Sequence, residues 1–79
     1  MNKISPMAFV HPNAKLGENN IIGPFCYIDE NTVMGDNNVL QNSVTINYGA
    51  RIGNNNEIFP GASISTKPQD LKFQGEDTI

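Results

Sequence analysis

The sequence has few of the residues that small proteins use to stabilise themselves. Among its 79 residues there is one cysteine, Cys26, and no tryptophan. A single cysteine excludes an intrachain disulfide, and a lone thiol without a signal peptide predicts a reducing, cytoplasmic setting. No apolar run is long enough to cross a membrane. Because so short a chain buries proportionally little surface, its stability must come from another source.

Basic residues are also few, and they are scattered along the chain. Five Lys and Arg residues stand against eight Asp and Glu residues, which gives a net charge of −3. This distribution excludes the basic surface expected of a nucleic-acid-binding or membrane-bound protein. The single histidine, His11, is too few for a histidine-based metal centre. We therefore expect no cofactor, no metal, no nucleic-acid partner and no membrane insertion.

A large aliphatic side chain recurs at every sixth position along most of the chain. Eleven consecutive matches are not expected by chance in a sequence that is 38% hydrophobic. A fixed short period indicates a solenoid, and no segment sustains the pattern of an amphipathic helix. The series is Ile4, Val10, Leu16, Ile22, Ile28, Met34, Leu40, Ile46, Ile52, Ile58 and Ile64.

A smaller residue follows each aliphatic residue by four positions, and the residue just before it is usually Asn or Gly. Asn13, Asn19 and Gly49 are examples, whereas Phe25 and Ser43 are exceptions. Asn and Gly enter the left-handed backbone region most readily. Each six-residue unit is therefore predicted to be a short strand followed by a sharp corner.

A period of eighteen residues lies on top of the period of six. Residues 16–20 recur at 34–38 and 52–56, each time as an aliphatic residue, Gly, a polar residue and two Asn. Three sixes per period imply a triangular prism in which residues eighteen apart stack at about 4.8 Å. The stacking predicts three aliphatic columns and a ladder of side-chain amides. The ladder is formed by Asn20, Asn38 and Asn56.

The repeat fails where the next aliphatic residue would fall, at Asp70. Residues 1–66 are predicted to form about three and a half coils. Residues 67–76 are predicted to leave the prism as an external loop, and 77–79 to begin another coil. Loops that project from a rigid scaffold are where function concentrates. We expect the natural chain to continue, because a bare end exposes unpaired strands and solenoids normally finish with a cap.

Three segments resemble a known enzyme family. Residues 8–14 resemble the opening Phe-Val-His-Pro-x-Ala signature of bacterial acyl-[acyl-carrier-protein]:UDP-N-acetylglucosamine O-acyltransferases, and residues 22–26 resemble their following Ile-Gly-Pro-Phe coil. Residues 56–64 followed by 68–76 are the most specific segment. Their Gln-Asp-Leu-Lys-aromatic-x-Gly-Glu run separates this family from other hexapeptide acyltransferases. The resemblance covers essentially the whole chain, but only the N-terminal portion of a family member.

The resemblance implies a fold and an activity. Family members are homotrimers of left-handed parallel β-helices, so the resemblance supplies the hand of the coil; parallel crossovers are otherwise right-handed. It implies transfer of a 3-hydroxyacyl group from acyl carrier protein to the glucosamine 3-hydroxyl of UDP-N-acetylglucosamine, the first step of lipid A synthesis. The family's histidine general base lies in later coils, so this chain alone is expected to be inactive.

The same resemblance assigns substrate contacts to Asp70 and Lys72, with a lesser contact for Gln69. A carboxylate accepts hydrogen bonds from sugar hydroxyls, and a lysine donates to a sugar or phosphate. No catalytic residue is assigned within the chain. His11 lies on the first coil and is interpreted as structural, and Cys26 as a buried thiol in a small inward position. The basic surface for acyl carrier protein is expected outside these residues.

Two other classes of protein stay open. Another hexapeptide-repeat acyltransferase would share the scaffold, although related N-acyltransferases usually carry a uridine-binding domain before repeats that here begin at Ile4. A γ-class carbonic anhydrase would require several metal-binding histidines. A non-enzymatic β-solenoid, such as an ice-binding or scaffold protein, would need a regular outward array of threonines. Thr32, Thr45 and Thr66 form no such array.

Overall fold

The computed structural model describes residues 1–65, and they form an all-β solenoid of eleven two-residue strands. Each strand ends at a corner, and the chain then turns onto the next side of a prism. The strands are β1 (Lys3–Ile4), β2 (Phe9–Val10), β3 (Lys15–Leu16), β4 (Ile21–Ile22), β5 (Tyr27–Ile28), β6 (Val33–Met34), β7 (Val39–Leu40), β8 (Thr45–Ile46), β9 (Arg51–Ile52), β10 (Glu57–Ile58) and β11 (Ser63–Ile64).

Three parallel sheets form the three sides of the prism. The first sheet has the order β1-β4-β7-β10, the second β2-β5-β8-β11, and the third β3-β6-β9. Each strand pairs with the strand eighteen residues away, so that Ile4 lies opposite Ile22 and Ile22 opposite Leu40. The predicted triangular parallel β-helix of about three and a half coils is confirmed.

The aliphatic residues stack inside the prism in the three predicted columns. Burial is complete in the middle coils, where Ile28 and Ile46 have no exposed surface. In the first coil Ile4 is 42% exposed, because β1 pairs with β4 on one side only. Full burial of such a side chain contributes about 1.5–3 kcal/mol. The core therefore depends on coils covering one another, as in other repeat proteins.

Most corners place one residue in the left-handed backbone region. Phe25 and Ser43, the exceptions in residue type, take this conformation with φ of 63° and 60°. At Asn13 the predicted corner is a turn without a positive φ, and the Asn13 N–H donates to Nδ1 of His11 at 3.0 Å. Coil geometry, rather than residue preference alone, decides the conformation. The other positive-φ residues are Asn19, Asn31, Asn37, Asn55, Gly49 and Gly61.

The predicted asparagine ladder is present, and it begins one coil earlier than expected. Oδ1 of Asn2, Asn20 and Asn38 each accepts the backbone N–H of the residue eighteen positions later, at 2.8–2.9 Å. The Nδ2 groups of Asn20 and Asn38 donate to the carbonyls of Gly35 and Gly53. Both side chains are fully buried. Because buried amides are costly unless paired, these bonds fix one coil on the next.

A glycine precedes the corner that carries the asparagine ladder, because the next coil lies too close at that point for a side chain. A Cβ added to Gly35 would lie 2.0 Å from Oδ1 of Asn54 and 2.8 Å from the carbonyl oxygen of Gly53. Asn54 Oδ1 is held there because it accepts the N–H of Asp36 at 2.6 Å. Gly17 meets Asp36 in the same way. The spacing of the coils therefore requires the recurring glycine.

The other two corners also bury small side chains, and their polar atoms differ in whether they are hydrogen-bonded. Cys26 is a buried free thiol, as predicted, and its Sγ donates to the carbonyl of Gln41 at 2.9 Å. Thr32 is fully buried in a column with Ala14 and Ala50. Its Oγ1 has no hydrogen-bond partner among residues 1–65. An unpaired buried hydroxyl costs free energy, so Thr32 is a weak point in the core.

Two substitutions compare how much hydrogen-bonded and unbonded polar groups of the core contribute to stability. Asn38→Ala should lower the free energy of unfolding by about 3 kcal/mol, because it leaves the Asn56 N–H without its acceptor and removes the Nδ2 donor to the Gly53 carbonyl. Thr32→Val preserves shape and removes only an unpaired hydroxyl, so its effect should lie within about 1 kcal/mol. Urea unfolding followed by circular dichroism measures both. Equal losses would contradict the ladder's role.

Candidate functional site

The residues predicted to contact substrate, Gln69, Asp70 and Lys72, lie outside the described residues. The predicted loop 67–76 and the segment 77–79 lie there too. Their boundaries and roles stay predictions. What the described coils provide is the surface from which this predicted loop departs.

The last described strand is held firmly against the coil below it. Ile64 of β11 pairs with Ile46 of β8, and the N–H of Asn47 donates to the Ile64 carbonyl at 2.9 Å. Nδ2 of Asn47 donates to both the Ser63 hydroxyl and the Ile64 carbonyl at 3.0 Å. These bonds fix the position and direction of the chain at Ser65. The described coils therefore end at a fixed point on the second sheet.

Polar side chains elsewhere on the coils are used to join neighbouring turns. Nε2 of Gln41 donates to Oε2 of Glu57 at 2.7 Å on the outer face of the first sheet. Arg51 directs its guanidinium at a corner, where Nη1 donates to the carbonyls of Asn31 and Gly49. Nη2 of the same guanidinium donates to Oδ1 of Asn31 at 3.4 Å. Arg51 thus acts as a clamp between coils.

His11 takes part in the first turn of the coil. Its Nδ1 accepts the Asn13 N–H, and its ring meets the edge of Phe9 at a centroid distance of 6.2 Å. His11 and Ser65 lie in one column, separated by three coil steps or roughly 14 Å. These contacts give His11 a place in the scaffold, well away from where the predicted loop departs.

An aromatic pair on the second sheet was not foreseen in the sequence. Phe9 and Tyr27 face outward and stack at a centroid distance of 5.3 Å with an interplanar angle of 17°. The signal was available, since the two residues are eighteen apart. The negative charge of Asp29 raises the pKa of the Tyr27 phenol above its ordinary value, and partial desolvation and a hydrogen bond to Asp29 act in the same direction. Tyr27 is therefore a neutral donor at neutral pH.

Residues 1–65 hold no group of three His, Cys, Asp or Glu side chains arranged to bind a metal ion. Within the same residues, no helix has the length and apolar character needed to cross a membrane.

Comparisons with known proteins agree with this geometry. Residues 13–48 match the family of bacterial transferase hexapeptides (six repeats). The acyl-[acyl-carrier-protein]--UDP-N-acetylglucosamine O-acyltransferases of Chlamydia caviae and Chlamydia abortus are each 40% identical over 78 residues, or 99% of this chain. A crystal structure of LpxA, a UDP-N-acetylglucosamine acyltransferase from Bacteroides fragilis, superposes on 95% of the chain with a TM-score of 0.80 and 60% identity.

Fold and repeat together define the chain as a hexapeptide-repeat, left-handed parallel β-helix, so the hand implied by the resemblance is confirmed. The predicted resemblance to the N-terminal portion of the UDP-N-acetylglucosamine O-acyltransferases is confirmed by these similarities. The chain spans 28% of the length of the two chlamydial relatives and 29% of the Bacteroides chain.

The tyrosine and carboxylate on the second sheet give a direct test of the local geometry. In a Tyr48→Phe background, which leaves one titrating phenol, Asp29→Asn should lower the ionisation midpoint of Tyr27. The reason is that a negative neighbour disfavours the phenolate. Ultraviolet absorbance during an alkaline titration measures the midpoint. Glu30→Gln, which removes a neighbouring charge, is the control, and an equal shift in that variant would contradict the assignment.

Proposed function

We propose that this chain is part of a UDP-N-acetylglucosamine O-acyltransferase that transfers a 3-hydroxyacyl group from acyl carrier protein to the glucosamine 3-hydroxyl. This reaction is the first step of lipid A synthesis, and we place it in the cytoplasm. The observation that carries the proposal is similarity to enzymes of that name over 99% of the chain. Since the chain spans 28% of those relatives, the activity belongs to the longer protein.

The described coils act in this proposal as a rigid base for the loop. Buried amides join the coils along one corner, and backbone hydrogen bonds join each strand to the strand eighteen residues away. A base that does not shift keeps side chains on an adjoining loop in a fixed position, which is what orientation of a substrate requires. Asn47 holds the last described residues of that base.

The loop residues supply contacts to the sugar nucleotide. Asp70 accepts hydrogen bonds from sugar hydroxyls, and Lys72 donates to the sugar or to a phosphate. Gln69 adds a lesser contact. The pairing suits a ligand that combines neutral hydroxyls with an anionic diphosphate, because one residue accepts and the other carries positive charge.

The base that removes the hydroxyl proton comes from elsewhere in the enzyme. In the reaction the sugar oxygen attacks the acyl carbonyl, an ester bond forms, and the carrier is released as its thiol. The only histidine of these 79 residues is His11, which lies at the far end of the described coils. A homotrimer lets a neighbouring subunit close the site over the loop. Acyl carrier protein binds to a surface outside this chain.

Substitutions in the loop test the substrate role in the natural-length protein. Asp70→Asn and Lys72→Met should each lower kcat/KM for UDP-N-acetylglucosamine about 10- to 100-fold, because each removes a charged hydrogen-bonding partner worth about 1.5–3 kcal/mol. Steady-state kinetics with an acylated carrier protein measure the change.

Matched surface substitutions separate the loop's role from a general effect of charge. Glu30→Gln removes a carboxylate from the second coil, and Lys67→Met removes an ammonium at the start of the predicted loop. Both should leave kcat/KM within about twofold. Unchanged kinetics in Asp70→Asn would remove Asp70 from the site.

The 79-residue chain by itself is expected to show no acyl transfer. It lacks the general base that the proposal assigns to later coils. Mass spectrometric detection of acylated sugar nucleotide in a purified sample would contradict this expectation. Full-length enzyme assayed in parallel is the positive control.

A further inference from the structure

Asn47 directly follows β8 and binds the neighbouring strand β11 through its side chain as well as its backbone. Its N–H donates to the Ile64 carbonyl at 2.9 Å. Its Nδ2 donates to the same carbonyl and to the Ser63 hydroxyl, each at 3.0 Å. The residue is half-buried. Three hydrogen bonds from one residue therefore hold both residues of β11.

The same position in the two preceding coils is occupied by His11 and Asp29, which use their side chains differently. The backbone N–H of each donates to the next strand of the sheet, as that of Asn47 does. Within the described residues, however, Nδ1 of His11 accepts the N–H of Asn13, and Oδ1 of Asp29 accepts the N–H of Glu30. The coil thus forms without a side-chain bond to the next strand here, and Asn47 adds one at β11.

β11 is the strand that most needs such a bond. Within residues 1–65 it lies at the edge of the second sheet and pairs with β8 alone. A strand held along one edge opens more easily than a strand between two others. The proposed function assigns a substrate contact to Asp70, six residues after Ile64. Because the chain is covalently continuous, the position of Ile64 limits where the Asp70 carboxylate can lie.

We propose that Asn47 is a positioning residue for the acyl transfer, which acts through Ser63 and Ile64 on the placement of Asp70. The inference rests on the proposed function and adds to it a residue that does not itself contact the substrate. A displacement of about 1 Å caused by a distant substitution can cost about 100-fold in rate. A side chain that fixes a strand close to the site can therefore affect catalysis without touching the sugar nucleotide.

Asn47→Ala in the natural-length enzyme removes the Nδ2 donor and leaves the backbone bond to Ile64 in place. Its kcat/KM for UDP-N-acetylglucosamine should fall about 5- to 50-fold through a higher KM, while the KM for acylated carrier protein stays within about twofold. Steady-state kinetics with each substrate varied in turn measure the two KM values. A smaller folded fraction alone would lower kcat and leave both KM values unchanged.

Gln41→Ala is the matched control for the loss of a side-chain bond between coils. Gln41 follows β7 as Asn47 follows β8, and its Nε2 donates across the same coil step to Oε2 of Glu57 at 2.7 Å. This bond lies on the first sheet and does not touch β11. Its kcat and both KM values should stay within about twofold of the wild type. An equal rise in KM for the sugar nucleotide in both variants would contradict the proposal.

A double variant shows whether Asn47 acts through Asp70. If it does, adding Asn47→Ala to Asp70→Asn should lower kcat/KM by less than about twofold further, whereas independent effects would multiply. Multiplied losses would overturn the proposal. Asn47→Asp keeps the size of the side chain and replaces the donor with an acceptor, so it provides the same test if the alanine variant does not fold.

The outcomes for the positioning role and for the proposed function are distinct. Wild-type kinetics in Asn47→Ala beside a reduced kcat/KM in Asp70→Asn would overturn the positioning role and leave the proposed function intact. A wild-type enzyme that does not acylate UDP-N-acetylglucosamine would overturn the proposed function, and the positioning role with it.

Discussion

Vertical pairing at a register of eighteen residues is the constraint on which the rest of this structure depends. Each two-residue strand is too short to be stable alone, and it gains partners only from the strands above and below. The same register aligns the aliphatic columns, so hydrogen bonding and apolar burial reinforce each other. Asn20 and Asn38 extend the pairing into the core, where the side-chain amide of each is hydrogen-bonded to the coil that follows. A slip of one residue would lose all of these interactions together.

This coupling explains why so much of the fold is predictable from the sequence. The period of six predicts the strands and the period of eighteen predicts the sheets, because both follow from side chains that must coincide in space. Local detail is less predictable. Asn13 avoids the left-handed region and Phe25 adopts it, although residue preference suggests the reverse. Contacts with neighbouring coils determine the φ angles of these residues. The preferences of single residues carry no information about such contacts.

The residues of the candidate site are predicted on different grounds. Gln69, Asp70 and Lys72 occur where the register fails, so periodicity marks the place without indicating the chemistry. Their predicted roles come from resemblance to a family, and the three residues lie outside the described coils. Conversely, the stacked Phe9 and Tyr27 were predictable from spacing alone, since outward residues eighteen apart must lie side by side. The period of the inward-facing residues is easier to detect in the sequence, because those residues are hydrophobic.

A repeat that stabilises itself so completely also limits where function can arise. Inward polar groups are costly unless they are hydrogen-bonded, and among residues 1–65 the hydroxyl of Thr32 is the buried group without a partner. Positions before the ladder corner are closed to side chains altogether, as the spacing at Gly35 requires. Only outward positions and interruptions of the register stay free to vary. Phe25, which is exposed and has a positive φ, is therefore a position that the stability of its own coil does not explain.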